Sequence, residues 1–264
     1  MIRDLIFGGA GSTALVEGWN LSTATSAGSL GLSLYSYDCA VSTKGDYLYI
    51  IKYDNNTLYQ YSLSTPYLVS SASLVRSKAM TSSLGEGIWF YADGSFFVVH
   101  SNGSDDSYKY VMSTPWDIST ATLVSGSLNA SGQSGDSRGV YLSPNGLYAY
   151  ISSMTPRVVL QYTMSTPFDL TTATYTRSAA PGFDFSDMWF NSSGTKMYAF
   201  GGLGPARVVE YLLSTSWDIS TISSNYTFNI GSINPSGIAF NSIGTRMYVM
   251  DYSVARIYQY NLTS

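Results

Sequence analysis

The sequence predicts an all-β fold, a five-bladed β-propeller of about 49-residue repeats whose last blade is closed by the N-terminal strand. Three observations point there. A segment typified by Tyr110–Thr122 (YVMSTPWDISTAT) recurs along the chain, its leading tyrosines standing at 61, 110, 162, 211 and 260, with spacings of 49, 52, 49 and 49 residues. Each copy follows apolar runs broken by a glycine turn, as in Gly87–Gly94 (GIWFYADG). The two ends of the chain also complement each other: Trp19–Thr25 (WNLSTAT) supplies the second half of the segment and Tyr260–Ser264 (YNLTS) the first.

Within a unit the order is constant. An innermost strand and its turn come first: Asp38–Gly45, Gly87–Gly94, Gly139–Gly146, Asp187–Gly194 and Gly237–Gly244. The closing glycines at 45, 94, 146, 194 and 244 suit a tight hairpin, which needs a residue at positive φ. A second strand follows at once (Tyr47–Ile51 in the first unit), and a third leads into the tyrosine marker (Thr57–Leu63). Neighbouring rather than alternate positions are apolar in the first two strands, as in Ile88-Trp89-Phe90, so these strands are covered on both faces. After the STPW-type segment comes an outer strand, Thr122–Leu128 in the second unit. Four antiparallel strands repeated every 50 residues or so describe a propeller blade. Pairing Trp19–Leu30 with the last strand leaves no free edge, whereas an open array would want distinct caps. The domain therefore spans 19–264, with residues 1–18 as an N-terminal arm expected to dock onto another subunit.

Composition excludes several classes of function. Charged residues make up 11% of the chain and the net charge is −4, so no basic patch exists to hold a phosphate backbone, and nucleic acid is not an expected partner. No apolar run reaches the roughly 18 residues of a membrane helix, so no membrane insertion is expected. Met1–Ala14 reads poorly as a secretory signal. Cys39 is the single cysteine, so the fold needs no oxidising compartment. No CxxC, HExxH, P-loop or EF-hand spacing occurs, so no metal site and no cofactor are expected.

Catalytic residues are not expected either. His100, the single histidine, ends a second strand far in sequence from Cys39, and no third group orients it in any matching motif. Glu17, Glu86 and Glu210 are the only glutamates, and no aspartate stands out in an apolar motif as one of a catalytic carboxylate pair.

The repeated features read as scaffold. Asp117, Asp169 and Asp218 precede Ser or Thr by two residues, the spacing of an Asx-turn, and Trp19, Tyr67, Trp116, Phe168 and Trp217 are expected to wedge the outer strand against the next blade. On the innermost strands Trp89, Tyr141 and Trp189 stand against Ala40 and Ala239. That unequal column leaves a pocket where the alanines fall, or else compensating core packing.

Function is expected where the blades differ. Two loop sets vary, one between second and third strands and one between an outer strand and the next blade, and in a propeller both open on the same side. The candidate ligand-binding residues are Asp54, Asn55, Asn56, Asp105, Asp106 and Arg157 in the first set and Arg138 in the second, which also holds Phe183–Ser186 and Asn234–Ser236. Acidic and amide groups beside aromatics suit hydroxyl-rich ligands such as glycans. The bland reading of the same loops is ordinary solvated connections.

The Y-x-L-S-T-P-W-D-I-S-T-A-T phrase, with GTKMY at Gly194–Tyr198 and GTRMY at Gly244–Tyr248, resembles repeats of structural proteins from marine tailed phages, cyanophages among them. The resemblance runs from about Trp19 to the C-terminus and carries no catalytic residues to transfer. It implies a non-enzymatic virion component of tail, fibre or capsid surface, assembled in the host cytoplasm, with other virion subunits and host-surface glycans as partners. Five-bladed tachylectin-type lectins are similar in architecture alone, and a free-standing carbohydrate-binding lectin is the alternative expectation. A glycosidase-like propeller enzyme is a lesser one.

Overall fold

The structure, a computed structural model, describes residues 18–32, 35–52, 55–80, 85–202 and 205–263. Its strands form five four-stranded antiparallel sheets, the blades of a propeller. Blade 1 comprises β2 (Ser36–Val41), β3 (Tyr47–Lys52), β4 (Thr57–Leu63) and β5 (Ala72–Ala79). Blade 2 comprises β6 (Gly85–Phe90), β7 (Phe96–Ser101), β8 (Asp106–Met112) and β9 (Ala121–Asn129). Blade 3 runs through β10 (Ser137–Leu142), β11 (Tyr148–Met154), β12 (Arg157–Met164) and β13 (Ala173–Ala179). Blade 4 runs through β14 (Phe185–Phe190), β15 (Lys196–Gly201), β16 (Ala206–Leu213) and β17 (Ile222–Gly231). Blade 5 takes β18 (Pro235–Phe240), β19 (Arg246–Asp251) and β20 (Arg256–Asn261) from the C-terminal end and β1 (Thr25–Gly31) from the N-terminal end.

The ring closes as the split repeat predicts. Strand β1 pairs antiparallel with β20, from Thr25 opposite Asn261 to Gly31 opposite Arg256. Innermost strands β2, β6, β10, β14 and β18 pack side by side around an axis, with β18 meeting β2. Every residue of β6 and β7 is buried, which is why their apolar residues do not alternate. Of the expected arm, residues 1–17 lie outside the described residues; the Gly18 amide donates to the Ile243 carbonyl at 2.9 Å.

The STPW-type segment proves to be a latch between blades. Its aromatic residue has positive φ in every copy: 49° at Trp19, 64° at Tyr67, 65° at Trp116, 60° at Phe168 and 65° at Trp217. Bulky residues avoid this region. What holds them there repeats five times. The backbone N–H of each donates to the carbonyl of its own hairpin glycine (Trp116 to Gly94 at 3.0 Å, Trp217 to Gly194 at 2.9 Å), and the ring lies on that glycine, where a Cβ would fall among the ring atoms. The glycine thus serves both the positive-φ turn and the stacking.

Each aromatic carbonyl then accepts bonds from the preceding blade. The Trp116 carbonyl takes the Tyr49 hydroxyl at 2.7 Å and Gln60 Nε2 at 2.9 Å. The Trp217 carbonyl takes the Tyr150 hydroxyl at 2.6 Å and Gln161 Nε2 at 3.0 Å, while Gln161 Oε1 accepts from the Ile219 amide. The wedge therefore faces the preceding blade rather than the next one, because the left-handed turn swings the ring back over its own hairpin. A 3-10 turn follows, with Asp117, Asp169 and Asp218 accepting from the amide two residues on, as the Asx spacing predicts; Asn20 does the same in blade 5.

Candidate functional site

The short hairpins and latches occupy one face of the disc, and the two variable loop sets open on the other. Around the axis on the loop face lies a depression of about 280 Å³, bordered by Tyr37, Arg138, Asp184, Asn234, Ser236 and Tyr252 among others. Asp184 and Gly202 also border a neighbouring cleft of about 550 Å³ between blades 3 and 4, with Arg157, Phe183 and Arg207, so the two form one continuous surface.

Arg157, the exposed first residue of β12, pairs with Asp184, which stands just before β14. The Arg207 guanidinium lies 4.6 Å above the Phe183 ring and has no carboxylate partner among the described residues. Arg138 binds Asp136 through Nε at 3.1 Å and Nη2 at 3.3 Å, and its Nε stands 3.7 Å from Glu86 Oε2. Glu86 is buried, and burial pushes its carboxyl up to about 8, against the pull of Arg138. Tyr252 stacks on Tyr35 at 5.0 Å and meets Tyr37 edge-on at 4.9 Å, setting an aromatic step at the rim.

The sequence-derived candidates divide. Arg138 and Arg157 both border this surface. Asp54 lies outside the described residues, and Asn55 is exposed, donating to the Tyr59 hydroxyl at 2.9 Å. Asn56, at φ 48°, is committed to the fold: Nδ2 donates to the Met80 carbonyl at 3.0 Å and Oδ1 accepts from the Gly85 amide. Asp105 takes the matching place in blade 2 at φ 53°, accepting from the Ser137 amide and hydroxyl. Asp106 accepts from Ser127, Asn129 and Tyr108. These three carboxyl or amide groups hold the loops in place and leave the rim to others.

Two carboxylates that the sequence reading passed over meet inside the ring. Asp38 opens its apolar strand segment in blade 1 and Asp187 does so in blade 4, where the other blades have Gly87, Gly139 and Gly237. Each aspartate accepts from the next residue's amide (Cys39 at 2.7 Å, Met188 at 2.8 Å) and from the neighbouring blade (Ile88 at 2.8 Å, Ile238 at 2.9 Å). Glycine is required opposite them, since a Cβ on Gly139 or Gly237 would run into the Asp187 or Asp38 carboxylate. Burial and mutual repulsion push Asp38 well above the usual carboxylate range, and burial pushes Asp187 up as well, so Asp38 keeps a proton and shares it with Asp187. Both side chains are only 3% exposed, and this pair fastens blades rather than facing a cleft. The signal in the sequence was Asp alternating with Gly at one repeat position.

His100 is wholly buried between the Ser107 and Ser137 hydroxyls at 2.9 and 2.6 Å, and burial lowers it to about 3, so it stays neutral. Burial likewise raises the Cys39 thiol. Among the described residues no group of His, Cys, Asp and Glu has the geometry of a metal site, and no helix is long and apolar enough to cross a membrane.

On the opposite face the unequal column does leave a cavity, of about 440 Å³. Ala40, Trp89, Tyr141 and Trp189 form its inner wall, with Phe240 beside the buried Ala239 on the blade 5 side, and one residue from each hairpin, Thr43, Ala92, Pro144, Ser192 or Ser242, forms its rim.

No protein-family model matches this chain, and no curated protein matches it. Solved structures with the same fold do. A functionally unknown protein from Desulfotomaculum acetoxidans superposes with a TM-score of 0.55 at 12% identity, over 86% of this chain and 83% of that one. The Cps50 (Swd1) β-propeller domain of Myceliophteria thermophila gives 0.55 at 9% identity, over 91% and 100%. Kuenenia stuttgartiensis hydrazine synthase gives 0.53 at 12% identity, over 88% and 78%. At these identities the likeness is one of fold.

Proposed function

We propose that this propeller is a non-enzymatic recognition component of a phage virion, at the tail, fibre or capsid surface, and that its loop face engages host-surface glycans. The observation that carries the recognition reading is the continuous depression on that face. Arg138, Arg157 and Arg207, one aspartate and a tyrosine step converge there, from the variable loops and the strand ends that adjoin them. Planar cations and amides over aromatic faces suit hydroxyl- and carboxylate-bearing sugars. The virion context rests on the repeat phrase and its resemblance to phage structural proteins. The non-enzymatic reading is supported by the commitment of Asp38, Asp187 and His100 to bonds between strands and blades, out of reach of any substrate.

The test is binding of labelled protein to a printed panel of bacterial envelope polysaccharides. Wild type is expected to bind a subset of them. The double substitution Arg157→Ala with Arg207→Ala is expected to weaken that binding at least tenfold, while Ala92→Trp on the far face leaves it unchanged. Absence of binding to any polysaccharide, or equal loss with Ala92→Trp, rules this reading out.

A further inference from the structure

We infer that the aromatic cavity on the hairpin face is a second binding site, built for one neutral pyranose ring. Its walls are asymmetric for a reason legible in the repeat. Blades 2, 3 and 4 place Trp89, Tyr141 and Trp189 at a position where blades 5 and 1 have Ala239 and Ala40. Tyr141 stands edge-on to both indoles, with ring centroids 6.2 Å from Trp89 and 5.2 Å from Trp189 at interplanar angles of 69° and 72°. Trp89 and Trp189 are thereby held on either side of a third ring, and Ala40, small where they are large, leaves room in the same cavity.

The rim has different chemistry. It is made of small residues, three of them hydroxylic (Thr43, Ser192 and Ser242), and Asn241 stands just below. A pyranose matches this division, because its C–H face packs on aromatic rings while its hydroxyls point outward to polar groups. A wholly apolar ligand would leave the hydroxyl rim unused. Charge argues further. None of the residues lining the cavity is ionisable to a cation or carboxylate, so an ionised ligand would be desolvated with no counter-charge. The Asp38–Asp187 pair opens the same strands two residues before the alanine and indole of blades 1 and 4, and it too offers no cation to an anionic ligand. The volume of about 440 Å³ lies within the range of small-ligand sites.

The experiment follows intrinsic tryptophan fluorescence, with calorimetry as a second readout, while the full chain is titrated with methyl glucopyranoside, methyl galactopyranoside and methyl N-acetylglucosaminide. Methyl glucuronide, cyclohexanol and indole serve as comparison ligands. At least one neutral glycoside is expected to saturate with Kd of about 1 mM, as a dozen ligand atoms permit. Glucuronide is expected to bind at least tenfold more weakly. Trp189→Leu should weaken the glycoside at least tenfold. Ala92→Trp, at an exposed rim position that does not endanger folding, should do the same by closing the mouth. Arg157→Ala on the opposite face should change nothing, which separates this site from the loop-face reading. The proposal is overturned if no neutral glycoside saturates, if indole or cyclohexanol binds and the sugars do not, or if glucuronide binds equally well. It is also overturned if only a chain starting at Gly18 binds, for then residues 1–17, which join the described chain beside Trp19 at this cavity, are its occupant.

Discussion

Replacing Gln161 with Glu isolates the latch between blades 3 and 4. Gln161 is 3% exposed and bonds both ways, donating to the Trp217 carbonyl and accepting from the Ile219 amide. An ionised glutamate can only accept, so it would set a buried charge against that carbonyl. The alternative is to take up a proton, after which the acid donates as the amide did. Protonating an ordinary glutamate of pKa about 4.3 at pH 7 costs roughly 3.7 kcal/mol, which bounds the loss at neutral pH. The sign is fixed by linkage. The folded-state pKa lies above the unfolded one, so the penalty is absent below about pH 4 and grows by up to about 1.4 kcal/mol per pH unit until the proton leaves the folded form. Blade 4 shows how such a glutamate is accommodated. There Glu210 holds the position, and Lys196 donates to the Trp19 carbonyl at 2.9 Å while pairing with Glu210 at 3.2 Å. Tyr148 starts β11 as Lys196 starts β15. Adding Tyr148→Lys to Gln161→Glu should therefore recover most of the loss at pH 7. Urea denaturation of the three proteins from pH 4 to pH 8 measures it. A pH-independent loss, or a lysine that gives no recovery, would refute the reasoning.

Two further outcomes follow from single positions. Leu68 precedes the blade 1 3-10 turn with the same extended backbone as its counterparts but caps nothing, so Leu68→Asp should raise stability by about 0.5–1 kcal/mol in thermal or urea melts. Asp38→Asn supplies a donor to Asp187 without a bound proton. Wild type, which binds that proton only when folded, should lose stability as pH rises above about 4, by up to about 1.4 kcal/mol per unit, and the variant should show a shallower slope; parallel curves would place the proton elsewhere.

Much of the fold was readable because propeller blades repeat their constraints. The turn glycines, the buried strand pairs and the split fifth copy each state a requirement that the structure meets at Gly45, β6–β7 and the β1–β20 pairing. The direction of the latch was not readable, because it depends on positive φ at Trp116 and its counterparts, which no propensity for large aromatics suggests. The loop face was located by its variability, and Arg138 and Arg157 with it. Its charge pattern was not, since Asn56 and Asp105 look like free ligand groups until their bonds to Met80 and Ser137 are seen. Arg207 and Glu86 sit inside strands, where a reading confined to loops does not look.

The disc has a repeated, latched face and a variable face, and host-glycan recognition by the variable face is the proposal to be tested. Hydrogen–deuterium exchange with a polysaccharide that the protein binds tests that division most directly. Slowed exchange is expected in the loop joining β11 and β12, in the segment 180–186 before and into β14, and at the ends of β15 and β16 around 201–207. Protection confined to the hairpins around Thr43, Ala92 and Ser242, with those loops unchanged, would contradict it.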